Sequence, residues 1–231
     1  MIPPLVLRKP FADNIDQIDW YSLSKNPAAI EYLLLHKNKI DWHGFCANPA
    51  AINEIESIYK LQFWIDGMVN KFSLEDVALN PAAINLIKSN LYRINWETLS
   101  ENPSAFELLM SNLDKVYWEK FVSLPEAINI INKHLLETDY KPTLFKIGDL
   151  CANPKMLDYF RQHPEQIDWQ SLSFNPDAID LFANNLDKLD WEYVSEHPKA
   201  IELLIANPNK INWQTVWANP AIFTYDYKQM R

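Results

Sequence analysis

A fixed internal period governs what this 231-residue chain can fold into. The segment IDWYSLSKNPAAI beginning at Ile18 returns as IDWHGFCANPAAI at 40, INWETLSENPSAF at 94 and IDWQSLSFNPDAI at 167. It returns again as LDWEYVSEHPKAI at 189 and INWQTVWANPAIF at 211, and looser copies start at Phe72, Val116 and Phe145, which makes nine. Six of the eight spacings are 22 residues; the others are 32 and 29, so insertions near 59–71 and 132–144 interrupt a single register. One such unit cannot bury its own apolar face, and neighbours must stack to build a continuous core.

Position by position, with the first residue of each copy as 1, the unit reads as helix. Position 10 is proline in all nine copies, and position 9 is asparagine in seven, with Leu124 and His197 the exceptions. Asparagine followed by proline is a helix start, an N-cap side chain before a residue that needs no N–H at N1. The apolar residues at positions 12, 13 and 16 then follow helical spacing. Position 2 is Asp, Asn or Ser in seven copies and reads as a second N-cap, opening one short turn before the next Asn-Pro. At position 19 the six 22-residue repeats carry His36, Asn90, Asn112, His163, Asn185 and Asn207, read here as left-handed C-caps in a chain with only 3 glycines. The fold expected is all-α: an α-solenoid of nine ~22-residue repeats, each a short 3₁₀-like turn plus an α-helix. Residues 1–17 form an N-terminal cap, 18–223 the array, and 224–231 a C-terminal tail. At ~8–10 Å per helix layer the array spans on the order of 70–90 Å, so an elongated molecule is expected.

Tryptophan stands at position 3 in seven copies, replaced by Leu74 and Ile147 in the others. Apolar replacements point to inter-repeat core, not to a platform for bases or sugars. The remaining tryptophans are Trp217, at a position otherwise held mostly by small residues, and Trp64, in the first insertion.

No chemistry-bearing motif rises above the repeat. The two cysteines, Cys46 and Cys151, sit four copies apart at position 7 and read as small packed residues without a disulfide. The five histidines show no metal-binding spacing, and no nucleophile elbow or Walker motif is present. Acids such as Glu119 and Glu126 read as solvated surface. No catalytic residue, metal or cofactor is therefore assigned. Position 22 is basic in Lys39, Lys71, Arg93, Lys115, Lys188 and Lys210. This is a ladder for phosphates on one reading and a set of helix C-terminal cations on the other, and a net charge of −9 favours the second. Position 14 is acidic in Glu31, Glu107, Asp158, Asp180 and Glu202. These two rows, with Trp64 and the insertions, are the candidate interaction surface.

The tandem unit I-[DN]-W-x-x-[LV]-S-x-N-P-x-A-I resembles the short Trp/Asn-Pro repeat proteins encoded in many copies by large DNA viruses of amoebae and algae, over about residues 18 to 223. At the level of fold it is also similar to leucine-rich-variant α/3₁₀ solenoids. The resemblance implies a viral origin and no particular activity. The expectation is a non-enzymatic repeat protein that binds another protein, such as a host factor, as an adaptor or scaffold. A virion or assembly component is the alternative, and nucleic-acid binding through the basic ladder ranks below both. The opening MIPPLVLRKPF has no basic segment ahead of its short apolar stretch, so neither secretion nor a membrane anchor is expected.

Overall fold

A computed structural model describes residues 5–62, 73–131 and 146–225. Among them every regular element is helical except two three-residue strands, β1 (Leu5–Leu7) and β2 (Phe223–Tyr225), which pair antiparallel with Leu5 opposite Tyr225. The chain divides into two compact units, Met1–Ser73 with Trp191–Arg231, and Leu74–Asp190.

The Asn-Pro dipeptide starts helix as its chemistry requires, but the first turn is 3₁₀. Pro27–Ala29 is a 3₁₀ turn that passes into the α-helix Ile30–Leu35. Pro103–Ala105 likewise leads into Phe106–Met110. The expected 3₁₀-like turn behind position 2 is mostly α-helical instead, as in Trp20–Lys25, Trp42–Ala47 and Trp96–Leu99. The physical reason is the cap. Asp19 accepts the N–H of Ser22, and Asp41 that of Gly44, which leaves room for i→i+4 bonds such as Leu23 N–H to Asp19 O at 2.9 Å.

The left-handed C-cap expected at position 19 does not form. No non-glycine residue among those described has positive φ; Asn90 lies at φ −132° and Asn112 at φ −142°. The side chain ends the helix by another route. Nδ2 of Asn90, Asn112, Asn185 and Asn207 donates to the carbonyl four residues earlier at 2.8–3.0 Å, replacing the backbone N–H that the helix no longer supplies. His36 does the same with Nδ1 against Tyr32 O at 2.8 Å, whereas Nδ1 of His163 lies 3.6 Å from Glu165.

The core is built from positions 6, 7, 9, 12 and 16, with Leu74 of position 3 joining it. Position 6 is fully buried in all nine copies, from Leu23 to Val216, and the alanines of position 12 are equally enclosed. The position 3 tryptophans are only half-buried in every described copy, which corrects their assignment to the core. Lysine from position 22 roofs three of them: Lys39 Nζ lies 5.9 Å from the Trp20 ring, Lys115 4.7 Å from Trp96 and Lys188 5.2 Å from Trp169.

Position 9 is the joint between copies. Its side-chain oxygen caps the helix that follows, accepting the N–H two residues on, as in Ala50 to Asn48 at 2.9 Å. Its Nδ2 donates twice to the preceding copy, to the carbonyls of positions 7 and 9. Asn48 donates to Ser24 and Asn26, Asn102 to Ala78 and Asn80, Asn153 to Val122 and Leu124, and Asn175 to Cys151 and Asn153. The position 7 side chain adds a further bond to the next copy, as in Asp41 N–H to Ser24 Oγ and Tyr117 N–H to Ser100 Oγ, each at 3.0 Å.

The same joint closes the first copy onto the last. Asn26 Nδ2 donates to Trp217 O and Asn219 O, both at 2.9 Å, while Asn219 donates to Ser195 O and His197 O. Residues 5–7 pair with 223–225, and Phe11 packs edge-on against Trp213 at 6.1 Å. An array drawn out end to end over about 70–90 Å is incompatible with these contacts, and that expectation is corrected.

Two stability measurements check this division of labour. Asn102→Ala removes two hydrogen bonds to carbonyls of the preceding copy and the cap on the Ser104 N–H at a buried site, and should lose about 2–4 kcal/mol in urea unfolding. Leu99→Ala should cost about 2–5 kcal/mol, and the half-buried Trp96→Ala clearly less.

Candidate functional site

The acidic row of position 14 lies in the first turn of the α-helix in five repeats, and all five members are exposed. Three are engaged in ion pairs. Arg161 joins Asp158 at 2.6 Å to Asp180 at 3.1 Å, and Arg8 reaches Glu202 at 3.3 Å. These pairs are solvent-exposed, so each contributes little to stability. Glu31 and Glu107 point to solvent.

The basic row is exposed as well, at Lys39, Arg93, Lys115, Lys188 and Lys210. In three repeats its charge lies over an indole face, as described above. Lys71 and Trp64, with the 132–144 insertion, fall outside the described residues.

Repeat two departs from the pattern of the others. Its helix does not stop at position 19 but runs on as Ile52–Gln62, and the residue at position 22 is Leu61. A groove of about 450 Å³ opens beside Trp42. Its floor is apolar, from Leu34, Ile40, Trp42, Phe45 and Ile58, and Lys37, Asn53, Glu54 and Ser57 stand at the rim. Trp42 is held by an edge-on contact with Phe45 at 5.5 Å. The other unit carries a smaller, more polar groove of about 320 Å³ between Glu101, Glu119, Asp149 and Phe174. Lys120 on its wall is paired with Glu101, and with Glu97 at 3.8 Å.

Three groups titrate unusually. Burial pushes the Cys151 thiol up to about 11, so it stays protonated at neutral pH and is a poor nucleophile. Cys46 and Cys151 are both buried and free. Arg161 is held charged by its two carboxylates. Burial raises the Glu196 carboxyl above its ordinary range, with Lys25 opposing the rise and Glu192 adding to it. Among the described residues no group of three or more His, Cys, Asp or Glu side chains is arranged to hold a metal ion. Glu119 and Glu126 are both exposed. No helix of the described residues is long and apolar enough to cross a membrane.

Sequence reasoning missed two of the residues that matter most here. Trp217 is the largest fully buried side chain among the described residues, and its Nε1–H donates to Gln17 O at 2.7 Å, pinning the leading segment to the last repeat. The signal was its place at position 7, where a bulky ring has room only if the neighbouring copy is atypical. Trp42 was grouped with the other position 3 tryptophans. The helix Ile52–Gln62 that runs past position 19 sets its repeat apart. No protein family, curated protein or solved structure matches the chain.

Glu196 supplies a pH test. Its folded-state value is raised, so the native state holds a proton through a window above the usual carboxylate range. Stability contributed by protonation is therefore lost as pH rises through that window. Glu196→Gln should be more stable than the parent at neutral pH, and the two should converge in acid, as read by thermal melts across pH.

Proposed function

We propose that the chain is a non-enzymatic α-solenoid of nine ~22-residue repeats that presents a protein-binding surface, with the viral origin its repeat unit implies. It acts inside the infected cell as an adaptor or scaffold. The observation that carries this reading is the groove beside Trp42. An apolar floor with a mixed-charge rim is the chemistry that takes an apolar side chain from a partner peptide or helix. The framework supports the same reading. Positions 6, 7, 9 and 12 are buried in every copy, which leaves the surface positions free to differ from copy to copy.

The competing readings draw less support. Position 22 lysines lie over indole faces, and the net charge is −9, neither of which suits a polyanion. Assembly through free ends is disfavoured because the first and last repeats already bind each other.

Affinity purification from the producing cell tests the proposal. Proteins captured by the parent should be lost with Trp42→Ala, by roughly 30-fold in affinity for a buried aromatic contact, and kept by Trp96→Ala. Capture that survives Trp42→Ala, or retention on RNA that falls steeply with salt, would overturn it.

A further inference from the structure

We propose that the joint between the first and last repeats is exchangeable, so that a second copy of this chain can supply either side of it. The argument begins with the bonds themselves. Asn26 grips the carbonyls of residues 217 and 219 at 2.9 Å each, and Asn48 grips those of residues 24 and 26 at 2.9 Å each. The closing joint therefore uses the same donors, acceptors and spacing as an internal one. Nothing in it distinguishes the chain's own last repeat from that of another molecule.

The contacts peculiar to this joint follow the same division. On one side they come from residues 5–29: β1, Arg8, Phe11, Gln17 and Asn26. On the other they come from residues 202–225: Glu202, Trp213, Trp217, Asn219 and β2. Each pair is therefore recreated intact when the two sides belong to different molecules. Opening without exchange is disfavoured, because Phe11, Ala29, Trp217 and Ile222 are all fully buried and would meet water together. The chain is thus either closed on itself or closed on a second copy. Because the contacts are equal, the balance is set by effective concentration, which for two sites held on one chain is of about millimolar order.

The test places one crosslink across the joint. Val6 lies directly opposite Thr224 in the antiparallel pair, within disulfide reach. Val6→Cys with Thr224→Cys is made in a Cys46→Ser, Cys151→Ser background, serine being the residue other copies carry at that position. The protein is unfolded, refolded either dilute or near millimolar concentration, diluted, oxidised and run without reductant. Dilute refolding should give monomer with an intrachain bond. Concentrated refolding should give a dimer joined by two interchain bonds, which persists on dilution until it is unfolded again. The unmodified chain, read by light scattering, should partition in the same way, with mixed dimers when isotope-labelled and unlabelled chains are refolded together. Absence of a dimer after concentrated refolding, a dimer whose bonds are intrachain, or a dimer confined to the cysteine variant would each overturn the proposal.

Discussion

The buried amide at position 9 is the interaction on which the rest of the structure depends. Only an amide can do its work. It must accept one hydrogen bond to cap its own helix and donate two to the preceding repeat, and asparagine offers that set in a side chain short enough to stay at the joint. Serine or aspartate would cap equally well but could not donate twice. Asn26, Asn48, Asn153, Asn175 and Asn219 are fully buried, so each polar atom must be satisfied by protein, and each is. A buried polar joint of this kind fixes register. A repeat that slipped by one residue would leave the amide and two carbonyls unpaired, at a cost that apolar packing alone would not impose.

That joint frees the other residue types for different work. Helix ends need no glycine, because Asn and His at position 19 return a donor to the last turn. The position 3 tryptophans stand half-buried, three of them beneath lysine roofs. Beside Trp42 an apolar-lined groove opens to the surface. Where an indole does enter the joint, at Trp217, it fills the space that serine or cysteine occupies elsewhere and binds the leading segment.

Much of this was legible from the chain alone. The period, the all-α character, both caps and the small residue at position 12 all follow from local rules acting over a few residues. The caps at Asp19 and Asn26 are i→i+3 and i→i+2 contacts, which sequence spacing encodes directly. The bridging bonds are not, because their acceptors are backbone carbonyls 22 to 24 residues away and carbonyls carry no sequence signature. The one available cue was selectivity, since asparagine fills seven of nine copies of a position where a cap alone would tolerate serine or aspartate. The closure of residue 26 onto residues 217 and 219 was hidden for the same reason. The left-handed cap failed because a general preference for αL asparagine competes with its ability to bond the carbonyl four residues back, and the second won at every described copy where that bond forms. The half-burial of tryptophan could not be read from its apolar replacements, Leu74 and Ile147, because a partly covered site accepts them too.

The most direct test is the state of the Asn26 side chain in solution. Nuclear magnetic resonance of a labelled sample can read its amide protons and the couplings transmitted through hydrogen bonds to carbonyl carbons. The account predicts couplings from Asn26 to the carbonyls of residues 217 and 219, with exchange protection equal to that of Asn48. An Asn26 amide exchanging like a free side chain, while Asn48 stays protected, would contradict it.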